Sequence, residues 1–167
     1  MITVRRAGVL DTRQMAELLN EIIAQGGTTA LTEHVTAKDI QDWMATHSEV
    51  SAWHVAEDDK GDILGFQLIT PQDDLPAQAV DIATFAKVGK VKMGIGSKLF
   101  EKTKAAAHQL GYAWINANIR ADNHGGLAYY QSRGFEDYGT KKGVALADGQ
   151  SVDKILKRYV LQSALKG

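Results

Sequence analysis

Three groups of residues in this chain have types and spacing suited to chemistry. Gly94-Ile95-Gly96-Ser97 stands where a strand-like segment passes into a helical one. Glycines let a ligand approach the backbone, and the unpaired N–H groups of a helix's first turn bind anions such as a pyrophosphate. The dipole at such an end contributes only about 0.3–1 kcal/mol for an exposed charge, so several N–H bonds and neighbouring lysines must supply the rest. Further along, Asn123 opens a short helical segment that carries Tyr130 and ends at Gly134-Phe135. A phenol of pKa about 10 can protonate a departing thiolate of pKa roughly 8.5. Two carboxylates, Asp81 and Glu33, are candidates to take the proton of an attacking amine.

Rival glycine motifs do not fit. A dinucleotide fingerprint needs a third glycine where Leu99 stands, and a phosphate-binding Walker loop needs Lys where Ile95 stands. Alone, the glycine turn reads equally well as a ligand-free strand-to-helix connection. Asn123 alone would be a helix cap, and Tyr130 alone a packing residue. Their order and spacing, with the turn about one helix and one strand upstream of the Asn–Tyr block, favour a shared site. None of the five His forms a metal-ligand spacing, and there is no His-Glu-x-x-His, so no metal is expected. His54 and His108 read as structural or surface residues.

Positioning these groups requires a particular succession of elements. Ile2 to Ala7 reads as a strand, and Asp11 or Thr12 caps a helix with Met15, Leu18, Leu19, Ile22 and Ile23 on one stripe. Gly26-Gly27 ends it and opens an extended loop from Thr28 to Val35. Thr36 to Asp39 approximates a capping box for a second helix, with Ile40, Trp43 and Met44 as its buried face. Ala52–Glu57 and Ile63–Ile69 flank a turn at Asp58-Asp59-Lys60-Gly61, which predicts a hairpin. Pro71 and Pro76 mark a loop before a strand from Val80 to Ala86. The helix after the glycine turn carries Ile95, Leu99, Thr103, Ala106 and Leu110 on one face and ends near Gly111. A strand from Ala113 to Ile119 and a short helix to Gln131 follow. Phe135–Gly139 and Lys154–Leu161 then pair through an Asp148-Gly149 turn.

The bulk properties limit the function classes. A chain of 167 residues with no linker, repeat or low-complexity tract suits one domain spanning 1–167. A formal net charge of −1 offers no basic surface for nucleic acid. The absence of Cys excludes disulfides, zinc–thiolate sites and a cysteine acyl-enzyme. Neither a signal-peptide core nor an apolar run of the roughly 18 residues needed to span a membrane is present, so no membrane partner and a cytoplasmic location are expected.

The two blocks together resemble the GNAT superfamily of acyl-CoA-dependent N-acyltransferases. That family's signature is Arg or Gln, two residues, Gly, any residue, then Gly or Ala. Gly94 and Gly96 occupy the small positions, and Val91 stands where Arg or Gln is usual. A backbone cradle remains, with Lys90 or Lys92 to supply charge. The family's second pattern matches at Asn123, Gly126, Tyr130, Gly134 and Phe135. The resemblance implies that Val91, Lys92, Met93, Gly94, Ile95, Gly96, Ser97 and Asn123 hold acetyl-CoA as acyl donor, with Tyr130 near the thioester as general acid. It implies an α+β fold whose mixed, mostly antiparallel sheet of six to seven strands is flanked by about four helices and splays between strands four and five. The pantetheine arm would lie in that splay along Thr84, Phe85 and Ala86, with Asn116 and Asn118 opposite. Thr28-Thr29-Ala30-Leu31-Thr32-Glu33 resembles the acceptor loop of the phosphinothricin-acetyltransferase-like branch, implying a small amino-acid-like amine as acceptor. A homodimer is common in the family, but no residue here compels one. A non-catalytic acyl-CoA sensor, another acyl group and a protein amine remain open alternatives.

Overall fold

The computed structural model describes residues 1–90 and 94–161. Strand β1 (Thr3–Arg6) leads through a short 3-10 turn into helix α1 (Thr12–Gln25). Helix α2 (Ala37–Ala45) precedes the hairpin β2 (Ala52–Glu57) and β3 (Ile63–Thr70), then β4 (Ala79–Ala86). Helix α3 (Ile95–Gln109), β5 (Trp114–Arg120), α4 (His124–Ser132), β6 (Glu136–Ala145) and β7 (Ser151–Val160) complete the order. Among the described residues no helix is long and apolar enough to cross a membrane.

The strands form one seven-stranded sheet in the order β1-β2-β3-β4-β5-β7-β6. Every pairing is antiparallel except β4 with β5, where α3 supplies the crossover that a parallel pair needs. That parallel pairing runs only from Ala79↔Trp114 to Ile82↔Ala117. Beyond it β4 continues to Ala86 beside β3, while β5 continues to Arg120 beside β7. The sheet therefore opens between Ala83 and Asn118, leaving strand edges facing each other without a ladder. This is the splay that the family resemblance implied.

Apolar burial holds the two halves in place. The stripe Met15, Leu18, Leu19 and Ile22 of α1 packs with Ile40 of α2 on Trp53, Val55 and Phe66 of one sheet face. Phe100 and Ala106 of α3 and Tyr130 of α4 cover Ile69, Val80, Ile82, Ile115 and Ala117 on the opposite face. At about 1.5–3 kcal/mol for each large apolar side chain, these two layers dominate the stabilisation.

Several local expectations need correction. Trp43 was expected in the core but is 39% exposed, because the short α2 buries only the narrow side around Ile40 and Met44. Asp11 starts α1 without a side-chain cap, since its carboxylate accepts from Gly8 N and from Arg5. The last two strands run to ten residues each, well beyond the predicted segments. Their extra length is Lys-, Gly- and Asp-containing sequence of weak strand propensity, held in register by mutual hydrogen bonding.

Candidate active site

Strand alternation sorts the residues around the splay onto two faces. His54, Gln67 and Thr84 are register partners across β2, β3 and β4 and lie on the α3/α4 face. Asp81 pairs in register with Asn116, and these share the opposite face with Asn118 and Arg120. The site thus has two walls, one from each face, meeting where β4 and β5 part.

On the first wall a chain of hydroxyls and one amide is closed by short bonds. Tyr130, 6% exposed, places its hydroxyl 2.7 Å from Thr84 Oγ1. Gln67, fully buried, donates from Nε2 to Thr84 Oγ1 at 2.9 Å and to the Tyr129 hydroxyl at 3.1 Å. Tyr129 donates in turn to the carbonyl of Gly96 at 2.7 Å. Burial raises the Tyr130 phenol well above its ordinary range, and the Asp81 charge adds to that rise. The Thr84 hydrogen bond opposes it. Tyr130 therefore keeps its proton until a strong base appears beside it, and a thiolate in the same dry environment is also made more basic. His54, next in the row, is pushed down to about 4 by burial, helped by Arg6 and Lys102, and is neutral at pH 7.

The glycine turn meets this wall at the start of α3. Gly94 caps the helix at φ 76°, a left-handed conformation that glycine adopts without cost, with open space where a Cβ would stand. Gly96 is small for a different reason: a Cβ there would lie 2.5 Å from Tyr129 Cε1. The expectation assigned both glycines to a ligand's approach, whereas Gly96 also makes room for the ring that binds its own carbonyl. Arg133, which no motif singled out, donates to Ser97 Oγ at 2.8 Å and brings a cation to the first turn of α3. Lys90 is exposed in the preceding turn. The expected contributions of Val91, Lys92 and Met93 lie outside the described residues.

On the second wall, Asp81 Oδ1 accepts from Asn116 Nδ2 at 2.8 Å, and Asn116 Oδ1 accepts from the Tyr138 hydroxyl. Burial pushes the Asp81 carboxyl up to about 6 against the Asn116 hydrogen bond, with Asp74 adding to the rise and Lys154 and Lys141 opposing it. Lys154 lies opposite Arg120 in the β5–β7 register and is lowered by burial and by Lys141. Tyr138 and Lys154 were not foreseen, because the β5–β7 pairing brings Lys154 beside β5 and the β6–β7 pairing brings Tyr138 toward it.

The remaining candidates sit at the open end. Asn123 caps α4, its Oδ1 accepting from Gly126 N at 2.9 Å while Nδ2 donates to the Thr28 carbonyl at 3.0 Å. Arg120, 6% exposed, donates to the Thr29 carbonyl at 3.1 Å and pairs with Asp122. These two bonds draw the loop between α1 and α2 over the splay. Glu33 is exposed on that loop, and among the described residues no hydrogen bond joins it to Asp81 or Tyr130. Phe85 packs at a tilt against Phe66 on the α1 face, so the backbone of Thr84, Phe85 and Ala86 is what this strand edge offers to the opening.

Known proteins share this fold. The acetyltransferase (GNAT) family model matches residues 15–135. "Putative phosphinothricin acetyltransferase YwnH" of Bacillus subtilis (strain 168) is 29% identical over 160 residues, covering 94% of this chain and 98% of that protein. A solved structure described as a "putative phosphinothricin N-acetyltransferase" superposes with a TM-score of 0.86 at 27% identity, covering 98% of this chain and 100% of that one. A GNAT superfamily phosphinothricin acetyltransferase from Sinorhizobium meliloti, solved in complex with AcCoA, has a TM-score of 0.85 at 20% identity, over 95% of this chain and 88% of that one, and so shares the fold. With the family model covering most of the chain and the split sheet in place, this protein belongs to the acetyltransferase (GNAT) family.

Proposed function

We propose that the protein transfers the acetyl group of acetyl-CoA to the primary amine of a small, amino-acid-like molecule by direct attack within a ternary complex. The observation that carries this reading is the placement of Tyr130 and Asp81. A protonated phenol bonded to Thr84 on one face of β4 and a carboxylate raised to about 6 on the other face of the same strand flank the point where its pairing with β5 ends. The donor fits the residues present. First-turn N–H groups of Gly94, Ile95, Gly96 and Ser97, with Arg133 nearby, suit a pyrophosphate, and the unpaired edge of β4 at Thr84–Ala86 suits the amides of a pantetheine arm.

Acetyl-CoA supplies an acyl group activated as a thioester. Asp81 accepts the proton that the amine loses, and Tyr130 gives a proton to the sulfur as the carbon–sulfur bond breaks. One proton leaves the nitrogen and one reaches the sulfur, so the reaction is neutral once solvent returns a proton to Tyr130 and removes one from Asp81. Asn123 and Arg120 hold the loop from Thr28 to Glu33 over the acceptor side. Lys154, half-buried and near Asp81, supports an acceptor bearing an anionic group as well as its amine. Likeness to the Bacillus subtilis protein described as "putative phosphinothricin acetyltransferase YwnH" supports the same acceptor class.

The test is thiol release from acetyl-CoA across a panel of amines, carboxylate-bearing and not. Turnover selective for carboxylate-bearing amines is the expected outcome. Binding of CoA without turnover on any amine would leave a binding domain, and failure to bind CoA would end both readings. Tyr130→Phe should slow the chemical step about 10²- to 10⁴-fold while CoA affinity, measured calorimetrically, holds.

A further inference from the structure

The ladder between β6 and β7 breaks its register at Tyr138. Pairing passes from Asp137↔Lys157 to Gly139↔Leu156, which leaves Tyr138 as the extra residue of a bulge. A bulge bends its strand and re-aims a side chain. Here the side chain crosses β7 to β5, where the Tyr138 hydroxyl meets Asn116 Oδ1. Asn116, 3% exposed, donates from Nδ2 to Asp81 Oδ1 at 2.8 Å. An ionised carboxylate only accepts, so it draws the amide nitrogen to itself and leaves the amide oxygen facing Tyr138. The ring of Tyr138 is braced in turn. Trp114 meets it edge-on at 5.7 Å, and the Arg158 guanidinium lies 5.2 Å from its centroid. Asp81 Oδ2 has no hydrogen bond among the described residues.

We propose that Asn116 and Tyr138 are positioning residues for the base: Asn116 holds Oδ1 of Asp81, Tyr138 anchors the far end of the Asn116 amide, and Oδ2 is left to take the proton of the amine. The inference rests on the reading of Asp81 as that base. It gives the bulge in the outermost strand a task, since a regular β6 would not supply this extra residue. The carboxylate sets which way the amide faces, and the phenol sets where the amide stands. Burial favours the protonated form of Asp81, and the Asn116 bond favours the ionised form that a base requires. Tyr138 thereby acts on Asp81 without touching it.

Two variants probe the chain. Tyr138→Phe keeps the ring against Trp114 and Arg158 and deletes only the anchoring hydroxyl, while Asn116→Ala deletes the bond to Asp81. If Asn116→Ala fails to fold, Tyr138→Phe carries the test. The readouts are the acid limb of kcat/KM for a low-pKa amine and the NMR titration of the Asp81 carboxyl carbon in the ligand-free protein. Both should move upward from about 6, by about one pH unit in Asn116→Ala and about half a unit in Tyr138→Phe. The other charged groups on this side are Asp74 before β4, Arg120 of β5, Lys141 of β6, and Lys154 and Arg158 of β7, with the Tyr130 phenol on the far face. Neither substitution alters them, so the shift reports the lost bond. Well above the limb, kcat/KM should still fall about tenfold in Asn116→Ala through lost aim. The CoA dissociation constant should change less than about twofold, since the α3 cradle is kept. In an Asp81→Asn background neither substitution should lower kcat/KM further, because their effect passes through the missing carboxylate. A limb or a titration that stays in place, or losses that multiply with that of Asp81→Asn, would overturn the positioning role. Full activity with an intact acid limb in Asp81→Asn itself would instead remove the base reading on which the inference stands.

Discussion

Tyr130 meets β4 on one face while Asp81 projects from the other face of the same strand, and burial moves both ionisations upward. The consequences differ because the proposed mechanism gives the two groups different tasks. A phenol that holds its proton tightly is a ready donor only to a strong base, which a thiolate becomes as it is expelled. A carboxylate raised to about 6 is still mostly ionised at pH 7 and is a better base than an ordinary one. The expected pH profile follows: kcat/KM for the amine should fall about tenfold per unit below pH 6, beyond the loss due to protonation of the amine itself. Asp81→Asn should lower kcat/KM and abolish that limb, which a pH series with a low-pKa amine would show. Stability carries the opposite sign. The folded state binds the Asp81 proton more tightly than the unfolded chain, with its ordinary value of 3.8, so this contribution is present below that value and is lost as pH rises through about 6. Asp81→Asn should therefore raise the melting temperature more at pH 8 than at pH 4.

The start of α3 and the body of α4 form one unit, joined through Gly96 and Tyr129. Two glycines one residue apart answer to different constraints there, and substitution separates them. Gly94→Ala meets no neighbour but must hold φ 76°, costing about 1–2 kcal/mol of left-handed strain in urea denaturation. Gly96→Ala sits at helical dihedrals but drives a methyl into the Tyr129 ring. It should destabilise the protein and weaken CoA binding, and adding Tyr129→Ala should restore most of the stability by removing the ring. If the double variant is no more stable than Gly96→Ala alone, the ring contact is not the reason for the glycine. At the far end of the unit, Gly126 serves Asn123 in a similar way, because a Cβ there would lie 2.5 Å from Asn123 Nδ2.

Across the whole molecule, the decisive feature is a sheet held together at one end and parted at the other. Four register pairs join β4 to β5, and beyond them β4 stays paired with β3 and β5 with β7. A donor seated in the opening would bind the folded protein and not the unfolded chain, contributing about 2.7 kcal/mol at one hundred times its dissociation constant. For a domain of this size that corresponds to a rise of roughly 5–11 °C in melting temperature. Amide exchange should slow at Thr84–Ala86 and at Ile95–Ser97 when CoA is added, and slow far less in the β6–β7 hairpin. Uniform protection across the sheet would instead indicate global stabilisation with no seat in the opening.

Periodicity, caps and turn residues made the order of elements legible before any coordinates. The two runs Ala52–Glu57 and Ile63–Ile69 on either side of a turn, the capping box at Thr36 and the Asn123 cap are local patterns enforced within a few residues. Local patterns could not place Trp43, extend the last hairpin or give Asn116, Tyr138 and Lys154 a common neighbour, since those outcomes depend on which strands become adjacent. The paired blocks at Gly94-Ile95-Gly96 and Asn123–Tyr130 were visible as a family pattern, but their physical connection was not. Gln67 carries no motif at all. It lies 62 residues from Tyr129, and only the β3–β4 register and the descent of α4 onto that face place its amide between Tyr129 and Thr84. By itself the sequence determined the elements, the acid candidate and the glycine turn, because each is written in residues close along the chain. Tertiary structure alone decided the two-walled site, because donors and acceptors can be matched only once distant strands lie side by side.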